Sequence, residues 1–184
     1  MKKIVILVIV ILLISCRREN SISVKQSDAK YPVIVHLDKE GGIRVINFPF
    51  KLVVSCNSII KRGFTDIEYH YGDVKGGWSK LYVEKNGSLT RIDKTKLKFI
   101  SFYKNQEYFV YSRHLLDTNQ FESLNFKKYR KQMNLLSQDT LAIDSFMYHN
   151  KTLTKKLLKD NFMILDFYKS KFNDPFKIKI SCNF

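Results

Sequence analysis

Asp66-Ile67-Glu68-Tyr69-His70 places three proton-transfer or metal-binding groups at every second position. Alternate residues of a strand share a face, so Asp66, Glu68 and His70 point one way while Ile67, Tyr69 and Tyr71 point the other. Two carboxylates and an imidazole suit a divalent metal ion or an acid–base pair. Residues two apart on a strand are separated by nearly 7 Å, so one strand alone makes a splayed site. The commoner reading of such a face is a solvated one. His36, His114 and His149 stand singly and read as structural or surface residues. The chain has no Gly-rich phosphate loop, no Gly-x-Ser-x-Gly, no His-Glu-x-x-His and no Cys-x-x-Cys. An enzyme centred on Asp66, Glu68 and His70 is therefore the weakest functional reading, and no cofactor is expected.

A second kind of chemistry is electrostatic. The formal net charge is +15. Two basic runs stand out, Lys127-Lys128-Tyr129-Arg130-Lys131 and the segment from Lys151 to Lys155-Lys156. Such faces suit an anionic polymer or an acidic protein surface, although solvated helix faces look the same. Tyr69, Tyr71 and Trp78 fall on expected strands and either line a binding face or fill the core.

The N-terminus limits the choice of partner. Lys2-Lys3 precede an unbroken apolar run from Ile4 to Ile14, which is too short to span a bilayer and fits the hydrophobic region of an export signal. Leu13-Ile14-Ser15-Cys16 resembles the lipobox of bacterial lipoproteins. The resemblance covers these first residues only and implies cleavage before Cys16 and diacylglycerol on its thiol. Residues 1–15 are then a signal peptide, and the mature chain carries +13, because the segment removed holds two lysines and no acid. Arg17 follows the cysteine; by the same resemblance this favours an outer-membrane lipoprotein facing the periplasm rather than the cell surface. Export also argues against a nucleic-acid partner for the basic surface.

With Cys16 lipidated, two cysteines remain in an oxidising compartment. Each ends one copy of a repeat. Asn47-Phe-Pro-Phe-Lys-Leu-Val-Val-Ser-Cys56-Asn57 and Asn173-Asp-Pro-Phe-Lys-Ile-Lys-Ile-Ser-Cys182-Asn183 are identical at seven of eleven positions. Period-two alternation puts Cys56 on one face with Phe50, Leu52 and Val54, and Cys182 with Phe176, Ile178 and Ile180. A Cys56–Cys182 disulfide is expected, tying the last strand to an early one.

The elements that must carry these residues are mostly strands at first. Residues 16–30 read as a polar tether, and 31–184 as one globular domain. Strands are expected at Pro32–Leu37, Ile43–Phe48, Phe50–Cys56, Phe64–Tyr71, Trp78–Glu84, Leu89–Asp93, Leu97–Tyr103 and Tyr108–Ser112. Asn86-Gly87 suits a type I′ hairpin turn. Helical spacing then appears in Phe121–Ser137, with Phe121, Leu124, Tyr129, Met133 and Leu136 inward. A second helix is expected near Asp139 and a third from Lys151; Phe162–Tyr168 fits a helix or a buried strand. The fold class expected is α+β, an antiparallel sheet with C-terminal helices packed on one face and the last strand returning to the sheet.

These features point to a lipid-anchored, non-enzymatic binding module of the cell envelope. One concrete form is an immunity or inhibitor lipoprotein that neutralises a delivered toxin. The alternative is a structural or assembly lipoprotein that touches cell wall or lipopolysaccharide through its basic faces.

Overall fold

A computed structural model describes residues 22–37, 42–57, 61–71, 74–77, 79–116, 124–168 and 175–182. Residues 1–15, Cys16 and Trp78 lie outside them. Of the described residues, 55% are in strands and 17% in helices. The strands are β1 (Ile22–Ser27), β2 (Val33–Leu37), β3 (Ile43–Asn47), β4 (Pro49–Cys56), β5 (Gly63–Tyr71), β6 (Val74–Gly77), β7 (Ser79–Lys85), β8 (Ser88–Arg91), β9 (Lys98–Phe99), β10 (Gln106–Ser112), β11 (His114–Leu115), β12 (Thr140–Ile143), β13 (Phe162–Tyr168) and β14 (Phe176–Ser181). The helices are α1 (Leu124–Leu135), α2 (Phe146–His149) and α3 (Lys151–Leu158).

Three antiparallel sheets result: β1-β4-β10-β7-β8; β11-β3-β2-β12; and β14-β13-β5-β6, with β9 also on β5. This corrects the expected single sheet covered by a helical layer. The helical period of the basic run did mark α1, and a helix does start at Lys151. The segment after Asp139, however, becomes β12, pairing Leu141 with Val35 at the edge of the second sheet. Phe162–Tyr168 resolves as strand, because Met163, Leu165 and Phe167 are buried at period two between β5 and β14. The three helices are too short to form a layer.

The first two sheets share a spine. β3 runs into β4 through Phe48, and β10 runs into β11 through Arg113, with one unbroken antiparallel register from Val45↔Leu115 to Val54↔Gln106. The amide of Ser112 bonds the Phe48 carbonyl at 3.0 Å across the bend. The third sheet packs face to face on this spine. Phe50 meets Tyr69 at 5.7 Å between ring centroids, and Phe64 meets Tyr108 at 4.9 Å. The helices close the other end of the spine, where Phe146 lies between Phe48 and Tyr129.

Three local outcomes bear on the expectations. Asn86 (φ 51°) and Gly87 (φ 76°) form the β7–β8 hairpin turn with both residues left-handed, as a type I′ turn requires. Ile22–Ser27, read as part of the tether, instead forms β1 on the edge of β4; only Ile22 of it is buried, so its apolar pattern was faint. The two repeat copies occupy unlike places, β4 inside the first sheet and β14 at the edge of the third. Their lysines nevertheless play one part: Lys51 meets Glu107 at 2.7 Å, and Lys177 meets Asp166 at 3.5 Å.

Candidate functional site

The β5 constellation does not assemble. The carboxylate of Asp66 accepts the Ile67 amide at 2.7 Å and the Lys94 ammonium at 3.2 Å. Glu68 turns instead to His70, 3.5 Å away, whose ring stacks on Phe162 at 4.5 Å. The strand is bulged just before this run, where Asp166 alone faces both Thr65 and Asp66. Among the described residues no three His, Cys, Asp or Glu side chains gather as a metal site. Asp66, Glu68 and His70 act as local ion-pair and stacking groups.

A different set of reactive residue types does come together, but in the core. His114 Nε2 lies 3.0 Å from Ser112 Oγ and 3.1 Å from the Tyr69 hydroxyl. Asn161 Nδ2 donates to that hydroxyl at 2.8 Å and to the Leu157 carbonyl at 2.7 Å. The phenol therefore has its own proton to give toward His114 and Ser112. Burial pushes the His114 pKa down to about 4 and raises that of Tyr69. With Nε2 accepting, the neutral ring carries its own hydrogen on Nδ1, which has no partner among the described residues. Ser112, His114 and Tyr69 are each 0% exposed, so no substrate reaches them. The cluster is a staple: it joins β10 and β11 to β5 and to the turn after α3. Tyr69 is thereby removed from the expected binding surface. Tyr71 is half-buried against the His114 ring, at 4.6 Å.

The same staple reaches the C-terminal strand. The Cys182 amide bonds the Asn161 carbonyl at 2.9 Å. Cys56 and Cys182 both have buried side chains, and the structure forms no bond between them. Burial pushes the Cys182 thiol up to about 12, which keeps it protonated and unreactive at neutral pH.

Among the described residues, α1 presents an open basic face. Phe126, Tyr129 and Met133 point into the core, and the Tyr129 hydroxyl accepts from Asn150 at 3.1 Å. Lys127, Lys128 and Lys131 are exposed, and Arg130 is half-buried. Lys127, Arg130 and Lys131 stand at i, i+3 and i+4, so they share one face. With Asn134 and Leu135 they line an open depression of about 480 Å³. No acidic residue occurs in α1, and none of its four cations makes an ion pair among the described residues. Leu135 is 77% exposed and Leu136 is 51% exposed, so Leu136 does not belong to the inward stripe expected of it. Leu135 and Asn134 were missed as site residues; the signal was an apolar Leu135 off the Phe126–Tyr129–Met133 period. Lys155 and Lys156 are also exposed, on α3, but do not line the depression.

The chain matches no protein-family model, no curated protein and no solved structure. Among the described residues no helix is long and apolar enough to cross a membrane.

Proposed function

We propose that this protein is a lipid-anchored envelope protein that binds an acidic protein partner through α1 and performs no chemistry of its own. The carrying observation is that helix: three cations on one face, no acid, and Leu135 held in water beside them. Like charges at i, i+3 and i+4 cost an isolated helix a few tenths of a kcal/mol per pair, and exposed leucines add nothing to the fold. Both features become favourable against an apolar patch rimmed by carboxylates, where steering raises the association rate and Leu135 supplies buried area.

The lipobox at Leu13-Ile14-Ser15-Cys16 supplies the location, and the internal position of Ser112, His114 and Tyr69 supports a non-enzymatic role. An immunity or inhibitor lipoprotein fits this combination of anchor and rigid, basic binding face. The test is paired capture from envelope extracts with the wild type and with Lys127→Glu/Lys131→Glu, together with toxin sensitivity of a deletion strain. A partner retained by the wild type and lost by the variant supports the reading. Equal capture by both proteins, or a deletion strain with unchanged sensitivity to competitors, counts against it.

A further inference from the structure

The end of β9 and the loop that joins it to β10 carry three exposed aromatic side chains, Phe99 (38% exposed), Phe102 (45%) and Tyr103 (75%). Large aromatic groups gathered in water are costly unless something covers them. The loop is held in this form rather than loosely extruded. Ile100 is buried, and its amide bonds the Arg62 carbonyl at 2.8 Å. Phe102 and Tyr103 pack ring on ring at 4.0 Å. Tyr103 has φ +53°, a left-handed conformation that bulky residues rarely adopt, and its amide is tied to the Cys56 carbonyl at 3.0 Å. Gly63 makes the close approach of β9 possible, because a Cβ there would meet the Lys98 carbonyl oxygen at 2.5 Å.

The surroundings of these rings are basic. From Lys94 to Gln106 the chain holds four lysines and no acid. Lys61 reaches over the Phe99 ring at 4.4 Å, and Lys104 is exposed next to Tyr103. Aromatic rings that bury their faces in the acyl boundary, flanked by lysines at the head-group level, are the composition of a membrane-interface contact.

Position selects the same occupant. Tyr103 is bonded to Cys56, and Cys56 is the β4 partner of Ile22, where the described chain begins. Five residues lie between Cys16 and Ile22, a reach of at most about 22 Å even when fully extended. The aromatic loop thus lies at the end of the sheet that a lipid on Cys16 would hold against the bilayer. We propose that this loop docks on the anionic phospholipid leaflet that holds the Cys16 lipid, inserting Phe99, Phe102 and Tyr103 between head groups while Lys61 and Lys104 meet phosphates. The proposal rests on the lipid-anchor reading and goes beyond it, since an anchor alone leaves the domain free to tumble. A second membrane signal of this kind is what makes a single-point attachment stable in orientation.

Hydrogen exchange of the full-length protein, purified from envelopes and placed on vesicles of phosphatidylethanolamine and phosphatidylglycerol, tests it; intact mass is recorded in parallel. The expected result is slowed exchange at residues 99–104 on these vesicles, no slowing on phosphatidylcholine vesicles, and no change at β12, at the other end of the spine. Each lysine at an anionic leaflet strengthens docking about fivefold, so Lys104→Gln lowers the loop's protection by about that factor. Tyr103→Gly suits the backbone at that position, so it keeps the melting temperature while lowering the protection. Diacylglycerol on Cys16 without loop protection overturns the docking and leaves the anchor standing. Loop protection without lipid on Cys16 supports the docking and removes the anchor. Absence of both overturns both, and equal protection on the two kinds of vesicle overturns the choice of an anionic surface.

Discussion

His114 shows what a titratable group does when the core, not a substrate, surrounds it. Its pKa falls from 6.5 to about 4 on folding, so the unfolded chain binds the proton more readily. Stability contributed by the neutral imidazole is complete above pH ~6.5 and is lost as pH falls toward ~4, by about 3 kcal/mol. His36 is shifted in the same direction, chiefly by burial, and adds to the same trend. Denaturant melts across this range should show the loss, and His114→Gln should remove its share of the slope. Tyr69→Phe deletes the hydroxyl that joins Asn161 to His114 and strands buried polar atoms on both sides. It should cost about 1–3 kcal/mol, read as a lowered denaturation midpoint with unchanged m-value. Cys182 should resist alkylation in the native state and react in denaturant. Reaction in denaturant only after a reductant is added would instead establish the Cys56–Cys182 bond expected from the sequence. The tie between the last strand and the early ones does not depend on that bond: the Cys182 amide, Asn161, Tyr69 and His114 already make it.

Elements were legible in the sequence where one side-chain pattern sufficed. β4 alternates Phe50, Leu52, Val54 and Cys56 inward, and its partner segments showed the same period. Asn86-Gly87 named its own turn. The pattern failed where tertiary pairing decides. Thr140–Ile143 buries only Leu141, too little to show a period, and becomes β12 because the edge of β2 is open to it. β1 is a strand for the same reason against β4. Leu136 misled because it continues the helical spacing one turn past the last core contact of α1 at Met133. The site was legible in part: Lys127, Lys128, Arg130 and Lys131 stood out as a basic run, whereas Tyr69, left between binding face and core by its pattern, is a core staple. Gly63 gave no signal at all, since only the approach of β9 reveals why a side chain is excluded there. Gly63→Ala should shift the β9–β10 loop and destabilise the protein by about 1–3 kcal/mol, with altered amide shifts concentrated at residues 98–104.

At the scale of the whole molecule the β3–β4 and β10–β11 spine gives the protein two ends. Cys56, Ile22 and Tyr103 mark one of them. β12, the helices and the exposed Leu135 of α1 mark the other, where Tyr129 packs on Phe146 and Phe146 on Phe48. From Val54 back to Val45 the spine covers roughly 30 Å at the usual rise per residue. With the lipid at the first end, α1 stands away from the bilayer, open to an approaching partner. On this proposal the mature charge of +13 has two separate uses rather than one diffuse one. Raising the ionic strength should weaken both, because the cations concerned are exposed and are screened within about 10 Å at 0.1 M salt. The staple in the core, being buried, should hold its stability across the same range.

Site-specific photo-cross-linking in cells tests the central claim most directly, with the reactive side chain placed at Leu135 and, as a control, at Asn86 in the β7–β8 turn. Leu135 is 77% exposed, so its replacement leaves the core intact. The account predicts a discrete protein adduct from position 135, abolished by Lys127→Glu/Lys131→Glu, and none from position 86. A correctly localised, folded protein that yields no adduct at 135, or the same adducts from both positions, would contradict it.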